Sequence, residues 1–91
     1  LEKPLTGYSE DNYYTTTDTA EAAWLYSQGY ELLDVIVRNF RKTGEPSVFV
    51  FLNNSPDIKR AAFLFQCGKA EGDILTFFRA YKRMLAKAQG R

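Results

Sequence analysis

Ser47-Val48-Phe49-Val50-Phe51-Leu52 is the stretch on which the fold turns. β-Branched and aromatic residues fit a pleated, buried surface, and this is the most apolar strand-like run of the chain. It is therefore placed at the centre of a sheet. Upstream, Asn39–Pro46 is polar and holds Gly44 and Pro46, which reads as a long hairpin loop. Before it, Tyr30–Arg38 reads as a strand buried mainly on one side. Its alternation puts Leu33, Val35 and Val37 on one face and Leu32 and Ile36 on the other. Asn12–Thr17 (NYYTTT) reads as a first strand.

Helices fill the remaining gaps. Asp18 is placed as an N-cap, with Glu21 where a capping box wants its acid. The helix then runs to Gly29, where Tyr30 is set to pack back on Leu25 in a Schellman ending. Ser55-Pro56-Asp57 combines an N-cap serine, a proline at the first helical position and an acid facing the helix dipole. The helix it starts carries Ile58, Ala61, Ala62 and Phe65 on one face and stops at Gly68. After a turn over residues 68–73, Asp73 can cap a last helix.

In that helix, Ile74, Phe77, Phe78, Tyr81, Met84, Leu85 and Ala88 recur at helical spacing. At about 100° per residue they fall within an arc of roughly 120° and are expected to form its core face. Arg79, Lys82, Arg83 and Lys87 lie on the other side, with no acid among them. The element order is β-α-β-β-α-α. The first helix returns the chain, so strands one and two run the same way. The hairpin makes strand three antiparallel to both, and a central strand three gives the order 1-3-2. The expected fold is α+β, with the helices on one face of a mainly antiparallel sheet.

Residues 1–11 mix Pro4, Gly7 and charge without periodicity and read as a flexible tail. Residues 12–91 form one domain, large enough to bury roughly 64% of its unfolded surface. The chain opens on Leu1 rather than Met, as a trimmed chain or a domain cut from a larger protein does. Hydrophobic residues at 45% and aromatics at 15% argue for a globular fold. The net charge of +1 hides a polarity. Residues 1–36 hold one base and seven acids, whereas residues 37–91 hold eleven bases and four acids. A single cysteine forms no intrachain disulfide and fits a reducing, cytoplasmic compartment. No apolar run of membrane-spanning length and no signal peptide is present.

Tyr13-Tyr14-Thr15-Thr16 before Asp18, an Ala-rich helix closing on Gly29-Tyr30, a Val-Phe-Val-Phe strand, a helix ending in Gly68 and a final Phe- and Lys-rich helix together resemble a small uncharacterised domain family of bacteria and their phages. The resemblance covers residues 13–87. It implies a frequent home in mobile elements, and it brings no catalytic residue.

The residue inventory also leaves catalysis little to work with. There is no histidine, so Ser-His and Cys-His pairs cannot be built. One cysteine does not make a zinc site. No phosphate-cradling glycine loop is present. A non-enzyme without metal or cofactor is the expectation. Cys67 is read as a small buried apolar residue, Trp24 as core, and the carboxylates Glu10, Asp11, Asp18, Glu21, Glu71 and Asp73 as solvated charges or caps. The leading functional reading is nucleic-acid association through a basic helix face, in an accessory domain of a phage or mobile-element protein. Its candidate residues are Arg79, Lys82, Arg83 and Lys87, with Arg38, Arg41 and Lys42 in the hairpin loop and Lys59 and Arg60 in the second helix. The runner-up is an interaction module for a protein partner or a second copy, using an open sheet face and its aromatics. Tyr13 and Tyr14 point to opposite faces, so one of them turns away from the helices.

Overall fold

The computed structural model describes residues 12–38, 42, 44–53 and 57–90. Three strands, β1 (Tyr13–Thr16), β2 (Leu32–Ile36) and β3 (Val48–Leu52), form one sheet in the order β1-β3-β2. Both outer strands run antiparallel to β3. Three helices complete the fold: α1 (Thr19–Ser27), α2 (Asp57–Gln66) and α3 (Ile74–Ala88). The α+β class, the element order and the central place of the Val-Phe-Val-Phe strand are those expected from the sequence.

Register decides which side chains reach the core. Tyr14 lies opposite Phe51 and Thr16 opposite Phe49 on one side of β3, while Leu32 and Val35 lie opposite Phe51 and Phe49 on the other. Directly opposed residues share a face, and Phe49 and Phe51 face the helices and are fully buried. Leu32 and Asp34 are two positions apart where β3 advances by one, so Leu33 sits in a bulge. The bulge overturns the simple alternation expected for β2. Leu32 and Val35 both face the helices, while Leu33 and Val37 are exposed. On the far face, Val48 and Val50 are buried, so the open aromatic platform expected there is absent among the described residues. Its one described aromatic, Tyr13, is half-buried.

The helix boundaries follow local chemistry. Asp18 Oδ1 accepts from the amides of Ala20 at 2.9 Å and Glu21 at 3.3 Å, and Asp73 accepts from Thr76 N at 2.9 Å. Each satisfies amides that the first helical turn leaves free. The Ser55 cap lies outside the described residues. At the other end of α1, Tyr30 N donates to Leu25 O and Gly29 N to Tyr26 O. After α2, Lys69 N donates to Leu64 O and Gly68 N to Phe65 O. These paired bonds are Schellman motifs, and they need a left-handed residue at Gly29 (φ 96°) and Gly68 (φ 74°).

Glu21 departs from its expected role. Its carboxylate does not turn back to the cap, where Asp18 N instead donates to Thr16 Oγ1. It is 3% exposed; Tyr14 Oη donates to Oε1 at 2.5 Å and Gln66 Nε2 to Oε2 at 3.0 Å. One carboxylate thereby joins β1, α1 and α2. Burial, and then the hydrogen bond to Glu21, push the Tyr14 hydroxyl pKa far above its ordinary value of 10.0.

Helix α1 lies between the other two, packing more extensively on α3 than on α2. That position explains five consecutive buried residues, Glu21–Leu25, on a helix with little amphipathic pattern. Ala22 and Ala23 on α1 and Ala80 on α3 are buried, and side chains this small let two backbones approach closely. Trp24 is buried as expected and donates Nε1–H to Glu71 O at 3.0 Å. Cys67, expected inside, is exposed, because it falls past the last full turn of α2.

Candidate binding surface

Helix α3 begins and ends where its apolar periodicity does, but it docks on a different face from the one expected. Ala80 and Met84 are buried, with Phe77, Tyr81 and Ala88 packed against the core beside them. Those five positions, i, i+3, i+4, i+7 and i+11, define the seam that faces α1 and the sheet. The expected core face was centred too far round the helix. Ile74 is 83% exposed and Phe78 49% exposed, and Leu75 and Leu85 also stand in solvent. The physical reason is the alanine. Ala80 sits against α1, and docking on that side rolls the Ile74–Phe78–Leu85 edge outward. The large apolar residues left out of the seam all lie on one side of it, and periodicity alone therefore centres the apolar face toward them.

The cations of α3 fall into two groups. Lys82, expected far from the apolar edge, holds its Nζ 4.7 Å from the Phe78 ring centroid, a cation–π distance. One turn separates the two residues, so the contact is built into the helix. Arg79 and Arg83 instead turn toward α1. With Tyr26, Ser27, Thr76 and Ala80 they line an open cleft of about 280 Å³. Arg83 donates from a guanidinium nitrogen to Tyr26 Oη at 3.1 Å and lies 5.9 Å from that ring's centroid. Lys87 is exposed in the last turn, where a positive charge suits the helix dipole.

Among the described residues, none of Arg79, Lys82, Arg83 and Lys87 has a carboxylate within salt-bridge distance. Two described acids of the N-terminal half are engaged elsewhere. Asp18 caps α1 and Glu21 is buried. Asp73, the acid nearest in sequence, is engaged as a cap. Hydrogen bonds from the Thr76 hydroxyl and amide hold its carboxyl pKa below the ordinary value.

The other described basic residues lie in separate settings. Arg38 lies near the C-terminal end of α3, because Ser47 Oγ accepts from Arg38 N at 3.0 Å and donates to Ala88 O at 2.7 Å. Its guanidinium, however, is paired with Glu45 at 2.5 Å. Lys42 is exposed, and Arg41 lies outside the described residues. Lys59 and Arg60 are exposed on α2, which meets α1 but hardly meets α3. There Arg60 and Lys69 share a second cleft, of about 490 Å³, with Asp57 and Glu71. Two acids offset two bases, so that cleft has no strong sign.

Tyr26 and the exposed edge of α3 were not singled out from the sequence. Ala80 on the helix, with Ala22 and Ala23 on α1, was the signal that could have placed the seam. No group of three or more His, Cys, Asp or Glu is set to hold a metal ion among the described residues, and no described helix is long and apolar enough to cross a membrane. Comparison of the chain with protein-family models, curated proteins and solved structures yields no match.

Proposed function

We propose that this domain is a non-catalytic interaction module that binds a protein partner through the exposed side of α3. One observation carries the reading: Ile74, Leu75, Phe78 and Leu85, four large apolar residues on one helix, stand 40–83% exposed. Single exposed apolar residues are ordinary, but a contiguous set on one element is what interaction surfaces present. The rim is cationic, and interface anatomy pairs an apolar centre with a polar rim. The module therefore uses the helix layer rather than the sheet face.

A second reading has its own support. The Arg79–Arg83 cleft with Tyr26 places two cations without carboxylate partners beside an aromatic ring. Cations interleaved with aromatics are what single-stranded nucleic acids use. In that reading Arg79, Arg83 and Lys87 hold phosphates. The setting would be an accessory domain of a phage or mobile-element protein.

Crosslinking separates the two. A benzophenone-bearing phenylalanine analogue at position 78, irradiated in the native host, should give adducts that proteases destroy and nucleases leave intact. Nuclease-sensitive adducts would transfer support to the second reading. Absence of any adduct at position 78 would sink the protein-binding reading.

A further inference from the structure

We infer that the partner presents an acidic amphipathic helix, laid lengthwise along the Ile74–Phe78–Leu85 edge of α3. This inference rests on the reading of α3 as a protein-binding surface and names the chemistry of what it binds.

The exposed apolar residues are set four and seven positions apart. At 1.5 Å per residue the edge is about 16 Å long, three helical turns. An extended strand would cross it in about five residues and meet only alternate side chains. A helix lying alongside meets it with its own i, i+4 and i+7 positions, the spacing by which helices are read in grooves.

Charge settles the rest. Residues 74–88 contain four bases and no acid. Lys82 lies directly on the edge, its ammonium held over Phe78 at 4.7 Å. A partner carboxylate beside the apolar seam would meet Lys82 without displacing it. A second copy of this chain fits poorly. Two α3 edges brought together would place the Lys82 of each in the same interface with no acid of either helix to meet it, and like charges across an interface are costly. A nucleic acid strand would satisfy the cations, but it would leave Ile74, Leu75 and Leu85 without apolar contact.

The test uses the whole chain, isotopically labelled, and two synthetic helical peptides of about 18 residues. Both carry leucines at i, i+4, i+7 and i+11. One has glutamates flanking the leucines and the other has lysines. The glutamate peptide should shift the Ile74, Phe78 and Lys82 resonances. Its affinity should fall between about 50 and about 300 mM salt, as screening shortens. Lys82→Glu turns one attraction into a repulsion and should weaken binding roughly three- to tenfold. Lys82 is exposed, so that variant keeps the test usable if Phe78→Ser, which should abolish binding, also perturbs folding. Equal binding of the lysine peptide would overturn the acidic partner while leaving the protein-binding reading in place. Concentration-dependent self-association through the same resonances would overturn it in favour of a second copy. If neither peptide shifts α3 and an oligothymidine strand does, the protein-binding reading itself fails.

Discussion

Met84→Ala and Phe78→Ala should differ several-fold in their effect on stability, although both residues belong to the apolar periodicity of α3. Met84 is fully buried between α3 and the core. Truncating it removes the transfer free energy of its lost atoms and leaves a cavity, a cost of about 2–5 kcal/mol for such substitutions. Phe78 is half exposed. Full burial of a phenylalanine side chain contributes about 1.5–3 kcal/mol, so half of it contributes about 1 kcal/mol. The exposed Lys82 contact adds about 0.5 kcal/mol. In a domain of this size each kcal/mol moves the melting temperature by about 4–8 °C. Met84→Ala should therefore lower Tm by roughly 10 °C or more and Phe78→Ala by less than about 10 °C. Urea unfolding checks the same contrast, with the midpoint shifting and the slope unchanged. Equal losses for the two variants would refute the assignment of the buried seam. They would also remove the exposed edge on which the binding surface depends.

The buried Glu21 cluster predicts an alkaline weakness. The Tyr14 hydroxyl titrates higher in the folded chain than its ordinary 10.0, so its contribution is whole below that pH and declines as pH rises beyond it. Unfolding free energies measured from pH 8 to 11 should fall at the alkaline end, and Tyr14→Phe should flatten that limb relative to the parent. Glu21→Ala leaves the Tyr14 hydroxyl and the Gln66 amide without their shared acceptor and should cost about 1–3 kcal/mol in urea unfolding; a cost within error of zero contradicts the bonding described. Asp18→Ala should cost about 1 kcal/mol, with Asp18→Asn largely restoring it. Asp73, whose carboxyl is held low by Thr76, stabilises above its ordinary range and loses that contribution as pH falls through its folded value. Asp73→Ala should accordingly make the acid limb of a Tm-versus-pH profile shallower.

Local chemistry was legible in the residues alone. Asp18 and Asp73 became caps, Gly29 and Gly68 ended helices through Schellman bonds, and the bounds of α3 matched its periodicity. Each depends on neighbours within a few positions, which the chain order supplies. The central place of Val48–Leu52 followed from its apolarity, because a strand paired on both edges and covered on both faces meets no water. Only tertiary packing decided the rest. It placed Glu21 against Tyr14 and Gln66, seven and forty-five positions away. It inserted the bulge at Leu33 and brought Tyr26 to Arg83. Above all it chose which side of α3 to bury. A helix with apolar residues spread over a broad arc can dock at several rotations of similar hydrophobic gain. Burial of Ala80 in the same core as Ala22 and Ala23 of α1 goes with one of them, since small facing side chains let two helices approach closely. Periodicity reports that a helix has an apolar side, whereas the shape of its neighbour determines how much of that side stays in water.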